Sequence, residues 1–173
     1  MTLLQAPNRP LDPLRWIAWP AVLSLFLTLL LAAPIRIFGL SLPEPVFPLA
    51  LAYAWVVIRP SILAPFVLLG LGVFLDAFWG GPMGLWPLSL LAPYGVLLAA
   101  RSILSGQSAF MQFVWYLAAT ALGLATGYLA SSMTSLMFPS LLSVFWQYLA
   151  TIALYPFVYR LIDRFEDADV RFR

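Results

Sequence analysis

Asp76 is the only acidic residue inside the apolar stretches of this 173-residue chain, and it sits in Gly-Val-Phe-Leu-Asp-Ala-Phe-Trp-Gly-Gly-Pro-Met-Gly, residues 72–84. A carboxylate in such surroundings costs a few kcal/mol to bury, so it persists where something hydrogen-bonds it, where it pairs with a cation, or where it does chemistry. Aspartyl chemistry between two carboxylates that share a proton needs a second acid close by, and Glu44 falls in a loop. Serine chemistry at Ser131, Ser132 or Ser135 needs a base, and the chain has no His and no Lys. The absence of Cys and His also excludes disulfides and thiolate or imidazole metal sites, so neither catalysis nor a metal or cofactor is expected.

Two roles remain open for Asp76. Gly72 and Asp76 are four residues apart and share a helix face with Leu68, which places the carboxylate about one turn from the end of its helix. There it can accept hydrogen bonds from the amides of Gly80 and Gly81, or pair with Arg36, and so brace the turn formed with Pro82 and Gly84. Alternatively it contacts a partner or ligand directly.

The elements that would carry these residues are membrane spans. The chain is 63% hydrophobic and 9% charged, a composition that leaves too little polar surface to wet a soluble domain. Its +2 net charge is distributed among loops and does not suggest nucleic-acid binding. Apolar length and turn punctuation predict one polytopic all-α membrane domain over 1–173, with six helices at 16–35, 45–58, 61–79, 84–100, 110–130 and 141–160. The first segment is too long for the core of a cleavable signal peptide.

The second span is the short one. Its fourteen residues rise only about 21 Å, so it needs local thinning, extension toward Leu40 or a re-entrant path. With six spans and both termini cytoplasmic, every Arg except Arg36 falls on the cytoplasmic side. A five-span path that omits the second segment leaves Arg9 and Arg15 outside, but the Arg59-Pro60 break between two apolar runs favours six. The charged tail from Arg160 onward predicts a short interfacial helix or a frayed end, with a cytoplasmic docking role as the alternative.

Ala119, Gly123, Gly127 and Ser131 form a small-residue ridge at four-residue spacing, suited to close approach by another helix of this chain, of a second copy or of a partner. Pro20, Pro65, Pro87, Pro93 and Pro156 predict kinks that free carbonyls one turn earlier. Trp16, Trp19, Trp79, Trp86 and Trp146 near span ends predict interfacial anchors.

Residues 45–101 resemble MreD, the small integral membrane component of the bacterial rod-shape system (the elongasome). The resemblance is carried by Pro45 and the apolar run with Trp55, by Arg59-Pro60, and by Gly72-Val73-Phe74-Leu75-Asp76. Gly80, Pro82-Met83-Gly84-Leu85, Tyr94 and Arg101 complete it. It implies a protein without enzymatic activity in the bacterial cytoplasmic membrane. Such a protein binds the bitopic protein MreC and helps couple MreB filaments to peptidoglycan synthesis by a glycosyltransferase and transpeptidase pair, maintaining rod cell shape. It also implies a six-helix bundle similar to the S components of energy-coupling-factor transporters, and for that reason a solute-binding transporter subunit is the alternative function. Asp76, Gly80, Pro82 and Gly84 are the motif positions on this resemblance; Trp86-Pro87 and Pro93 depart from the usual pattern.

Overall fold

The computed structural model describes residues 14–31, 36–37, 40–41, 44–104, 106–135 and 140–170. These are helical throughout, apart from turns and a two-residue antiparallel pairing of Arg36–Ile37 (β1) with Leu40–Ser41 (β2) in the connection between the first two helices. The helices are α1 (Trp19–Leu31, entered through a π-turn at Leu14–Ala18), α2 (Phe47–Ile58), α3 (Leu63–Trp79), α4 (Leu85–Ala99), α5 (Arg101–Leu104), α6 (Ala109–Ser135), α7 (Leu141–Ile152) and α8 (Tyr155–Val170). The six expected apolar segments are all helical. Two stretches, Ala109–Thr134 and Leu141–Phe165, are long and apolar enough to cross a membrane, whereas the other four are shorter than eighteen residues. The expected 16–35 helix is described as far as Leu31; residues 32–35 lie outside the described residues.

The short second helix is the centre of the fold. Ten of the twelve residues of α2 are buried, and α2 packs against α1, α3, α4, α6, α7 and α8. It rises only about 18 Å, and as the central helix it meets other helices on most of its surface. Trp55, Ala54 and Val56 have no exposed surface. Around α2, α4 lies between α3 and α6, and α7 packs on α6.

Prolines shape the ends of these helices, and the groups they free are used. Pro20 has no N–H for the Trp16 carbonyl one turn earlier, and that carbonyl accepts a hydrogen bond from the Trp55 indole Nε1 at 3.1 Å. Pro48 occupies the first turn of α2, where an N–H would have had no intrahelical partner. The start of α2 is capped from far along the chain: the Val46 N–H donates to Thr151 Oγ1 at 3.1 Å, across 105 residues. Thr151 also receives Tyr116, whose hydroxyl donates to its carbonyl at 2.7 Å, while the Tyr53 hydroxyl donates to the Gln112 carbonyl at 2.7 Å. Pro156 is the second residue of α8, just past the turn at residues 153–154 that separates it from α7. The expected interfacial end is a regular continuation: α8 runs to Val170, with Val158 and Ile162 buried and Arg160, Asp163 and Arg164 exposed.

Thr151→Val keeps the side-chain shape but removes the acceptor for a buried N–H. Thermal unfolding in detergent is expected to show a loss of about 1–3 kcal/mol, with Thr151→Ser close to the parent protein.

Candidate functional site

The α3–α4 turn is built around one buried carboxylate. Asp76 is 5% exposed in the last turn of α3, on the buried face that also holds Leu68, Leu71, Gly72 and Leu75. Its Oδ2 accepts a hydrogen bond from the Gly84 N–H at 2.6 Å, and its Oδ1 accepts one from the Trp86 N–H at 2.9 Å. The expected donors, Gly80 and Gly81, are therefore replaced by amides at the start of the following helix. The reason is electrostatic: the C-terminus of α3 offers carbonyls and the negative end of its dipole, whereas the N-terminus of α4 offers free N–H groups and the positive end. Gly84 is the N-cap residue and has no side chain with which to cap, so Asp76 supplies the oxygens from eight residues away.

Each turn residue has a separable task. Gly80 closes α3 with a φ of 64°, the left-handed conformation that commonly ends helices. Gly84 enters α4 at a φ of 95°, where a side chain would strain the backbone. The Pro82 carbonyl accepts from the Leu85 N–H, and Gly81 is exposed with open space around it. Trp79 and Trp86 face each other across the turn, ring centroids 4.8 Å apart. At the tip, Met83 is 95% exposed. The side chain of Arg36 lies outside the described residues, and with it the expected pairing to Asp76.

The small-residue ridge faces inward, so its glycines meet helices of this chain and not those of a second copy or a partner. A Cβ on Gly123 would stand 2.6 Å from Leu49 Cδ1 and 2.9 Å from the Ser89 carbonyl oxygen; on Gly127 it would stand 2.5 Å from Ser89 Oγ. Pro93, inside α4, has no N–H for the Ser89 carbonyl, and that oxygen is the one turned to Gly123. The Ser89 hydroxyl is buried without a hydrogen-bond partner. Both Ser89 oxygens thus lie where a side chain at Gly123 or Gly127 would have to stand. A similar contact joins α3 to α4, since a Cβ on Gly72 would stand 2.5 Å from the Pro87 nitrogen. Pro87 and Pro93, the departures from the resembled pattern, therefore leave α4 a continuous helix, in which Pro87 meets α3 at Gly72 and Ser89 meets α6 at Gly123 and Gly127.

Ser89, Met83 and Thr151 were not singled out by sequence for these roles, and Pro87 was expected only to kink its helix. A Ser four residues before a helical Pro was a usable signal for Ser89; Thr151 had none, because its partner is 105 residues away. Among the described residues, no group of three His, Cys, Asp or Glu side chains could hold a metal ion. No family model, curated protein or solved structure matches the chain.

Asp76→Ala leaves two amides at the start of α4 without acceptors and is expected to cost about 3 kcal/mol, read as lost thermal stability in detergent. Gly123→Leu is expected to reduce the yield of folded, monodisperse protein even with no partner present, because the clash lies within the chain.

Proposed function

We propose that the chain is a non-enzymatic, six-span scaffold of the bacterial cytoplasmic membrane. On this reading it works as an MreD-type component of the rod-shape system, receiving the transmembrane and juxtamembrane part of a bitopic MreC-type partner. The observation that carries the membrane reading is the character of the outer surface. In the most apolar windows of Ala109–Thr134 and Leu141–Phe165, only 28% and 11% of the residues are buried inside the protein. Helices this apolar and this exposed are solvated by lipid, whereas the core helix of a soluble protein would be buried.

The described arginines support one orientation. Arg59 follows α2, Arg101 follows α4 and Arg160 lies in α8, and the antiparallel path of six spans gathers these at one end. Hydrogen bonds join neighbouring elements at that end: the Tyr94 hydroxyl donates to the Ser61 carbonyl, and the Tyr155 hydroxyl to the Ala109 carbonyl. The Asp76 turn then lies at the opposite, outer end. There both carboxylate oxygens of Asp76 are already engaged by α4, and the exposed Met83 offers an adaptable apolar contact to a partner. The motif residues of the resemblance thus have a structural occupation in a protein that acts through its surface.

Depletion from a rod-shaped bacterium should round the cells, and a nutrient-specific growth defect with normal shape would instead favour a solute-binding subunit. Met83→Glu is expected to leave membrane insertion and thermal stability unchanged while lowering co-purification with the bitopic partner about tenfold, corresponding to loss of one well-buried apolar contact. Unchanged co-purification would move the interface away from this turn.

A further inference from the structure

The lipid-facing surface has two different heights. On α3, exposed apolar side chains run from Ile62 to Phe78. At the helical repeat that band rises about 24 Å. It is closed at one end by Arg59 and Pro60 and at the other by the turn capped by Asp76. Its neighbour α4 has fifteen residues before Arg101, and a helix of that length rises about 22 Å. On α6, exposed apolar side chains run from Phe110 to Met133, inside a segment without a charged residue from 102 to 159. That belt rises about 35 Å. Because α4 separates α3 from α6, the two belts belong to different edges of the protein.

A typical hydrocarbon core is about 30 Å thick, so one edge is too short and the other too long. The long edge can tilt, which shortens its projection on the bilayer normal. Tilt only worsens the fit of a helix that is already short, and α3 cannot extend because Gly80 terminates it. The occupant of this edge follows from its side chains. Ile62, Phe66, Leu69 and Val73 are branched or aromatic and project outward; the exposed Gly70 among them has Phe66 and Phe74 at four-residue spacing and so forms no small-residue ridge, whereas Gly72, Gly123 and Gly127 face neighbouring helices of the same chain. Fluid acyl chains fill the spaces between bulky side chains, whereas close approach by a partner helix is favoured by repeated small ones.

We propose that the α3–α4 edge thins the bilayer around it and selects lipids with short acyl chains, while the α6 edge does not. The inference rests on the membrane reading above, and its test separates the two. The chain has no Cys, so a single label can be placed at Leu69→Cys on α3 or Leu129→Cys on α6, both exposed. Each labelled protein is reconstituted in phosphatidylcholine vesicles containing brominated phosphatidylcholines with chains of about 14, 18 or 22 carbons, and fluorescence quenching gives relative lipid occupancy at each edge. At position 69 the shortest chain is expected to be favoured about threefold over the longest; at position 129 the preference is expected to be flat or reversed. Protein retained through an alkaline wash but with equal preference at both positions overturns the inference and leaves the membrane reading intact. Protein lost from the vesicles in that wash overturns both.

Discussion

On the proposed membrane reading no water is at hand, so every backbone polar group must find its partner within the protein, and the described contacts repeatedly do so at helix ends. The Asp76 carboxylate takes two amides at the start of α4; Thr151 takes the amide at the start of α2; the Trp55 indole takes the carbonyl that Pro20 leaves free. Each of these contacts joins two helices. The groups that would otherwise make a helix end costly thereby become the fastenings between helices. A bundle in lipid needs such fastenings, because apolar side chains gain little by leaving one hydrocarbon surrounding for another.

The same demand explains why prolines are tolerated in helices of this chain. In α4, Pro93 releases the Ser89 carbonyl, and the glycine ridge of α6 comes so close to it that no side chain would fit at Gly123. Gly72 performs the reciprocal service for Pro87, letting the ring-bearing backbone of α4 approach α3 without a Cβ between them. Glycine thus meets proline on the α3 side of α4 and Ser89 on its α6 side, allowing close helix approach on both.

Helix positions were legible in the sequence because apolar runs of this length, punctuated by Gly, Pro and Arg, have few other foldings. The small-residue ridge was legible as a close-packing surface, but its partner was not: spacing identifies which face is small and carries nothing about whether Ser89 or a foreign helix meets it. The Asp76 motif was legible as a helix-end brace, with the wrong donors assigned. Sequence proximity favoured Gly80 and Gly81, whereas the dipole of the next helix drew the carboxylate to Gly84 and Trp86. The shortness of the second span was visible too, but only its burial among the other helices explains it. That burial depends on contacts such as the bond from Val46 to Thr151, which no local pattern announces.

These features bear jointly on how such a protein could act. A turn whose carboxylate is engaged on both oxygens does not need a partner's cation to be stable, so the α3–α4 tip is formed before any encounter and loses little conformational freedom on contact. Met83 at that tip is the flexible part of an otherwise fixed element, able to adapt to an apolar surface that approaches it. An engaged carboxylate below and an exposed apolar side chain above suit the docking role proposed for this turn. In this chain both follow from placing one acid a single turn before Gly-Gly-Pro-Met-Gly, where the start of the next helix can use it.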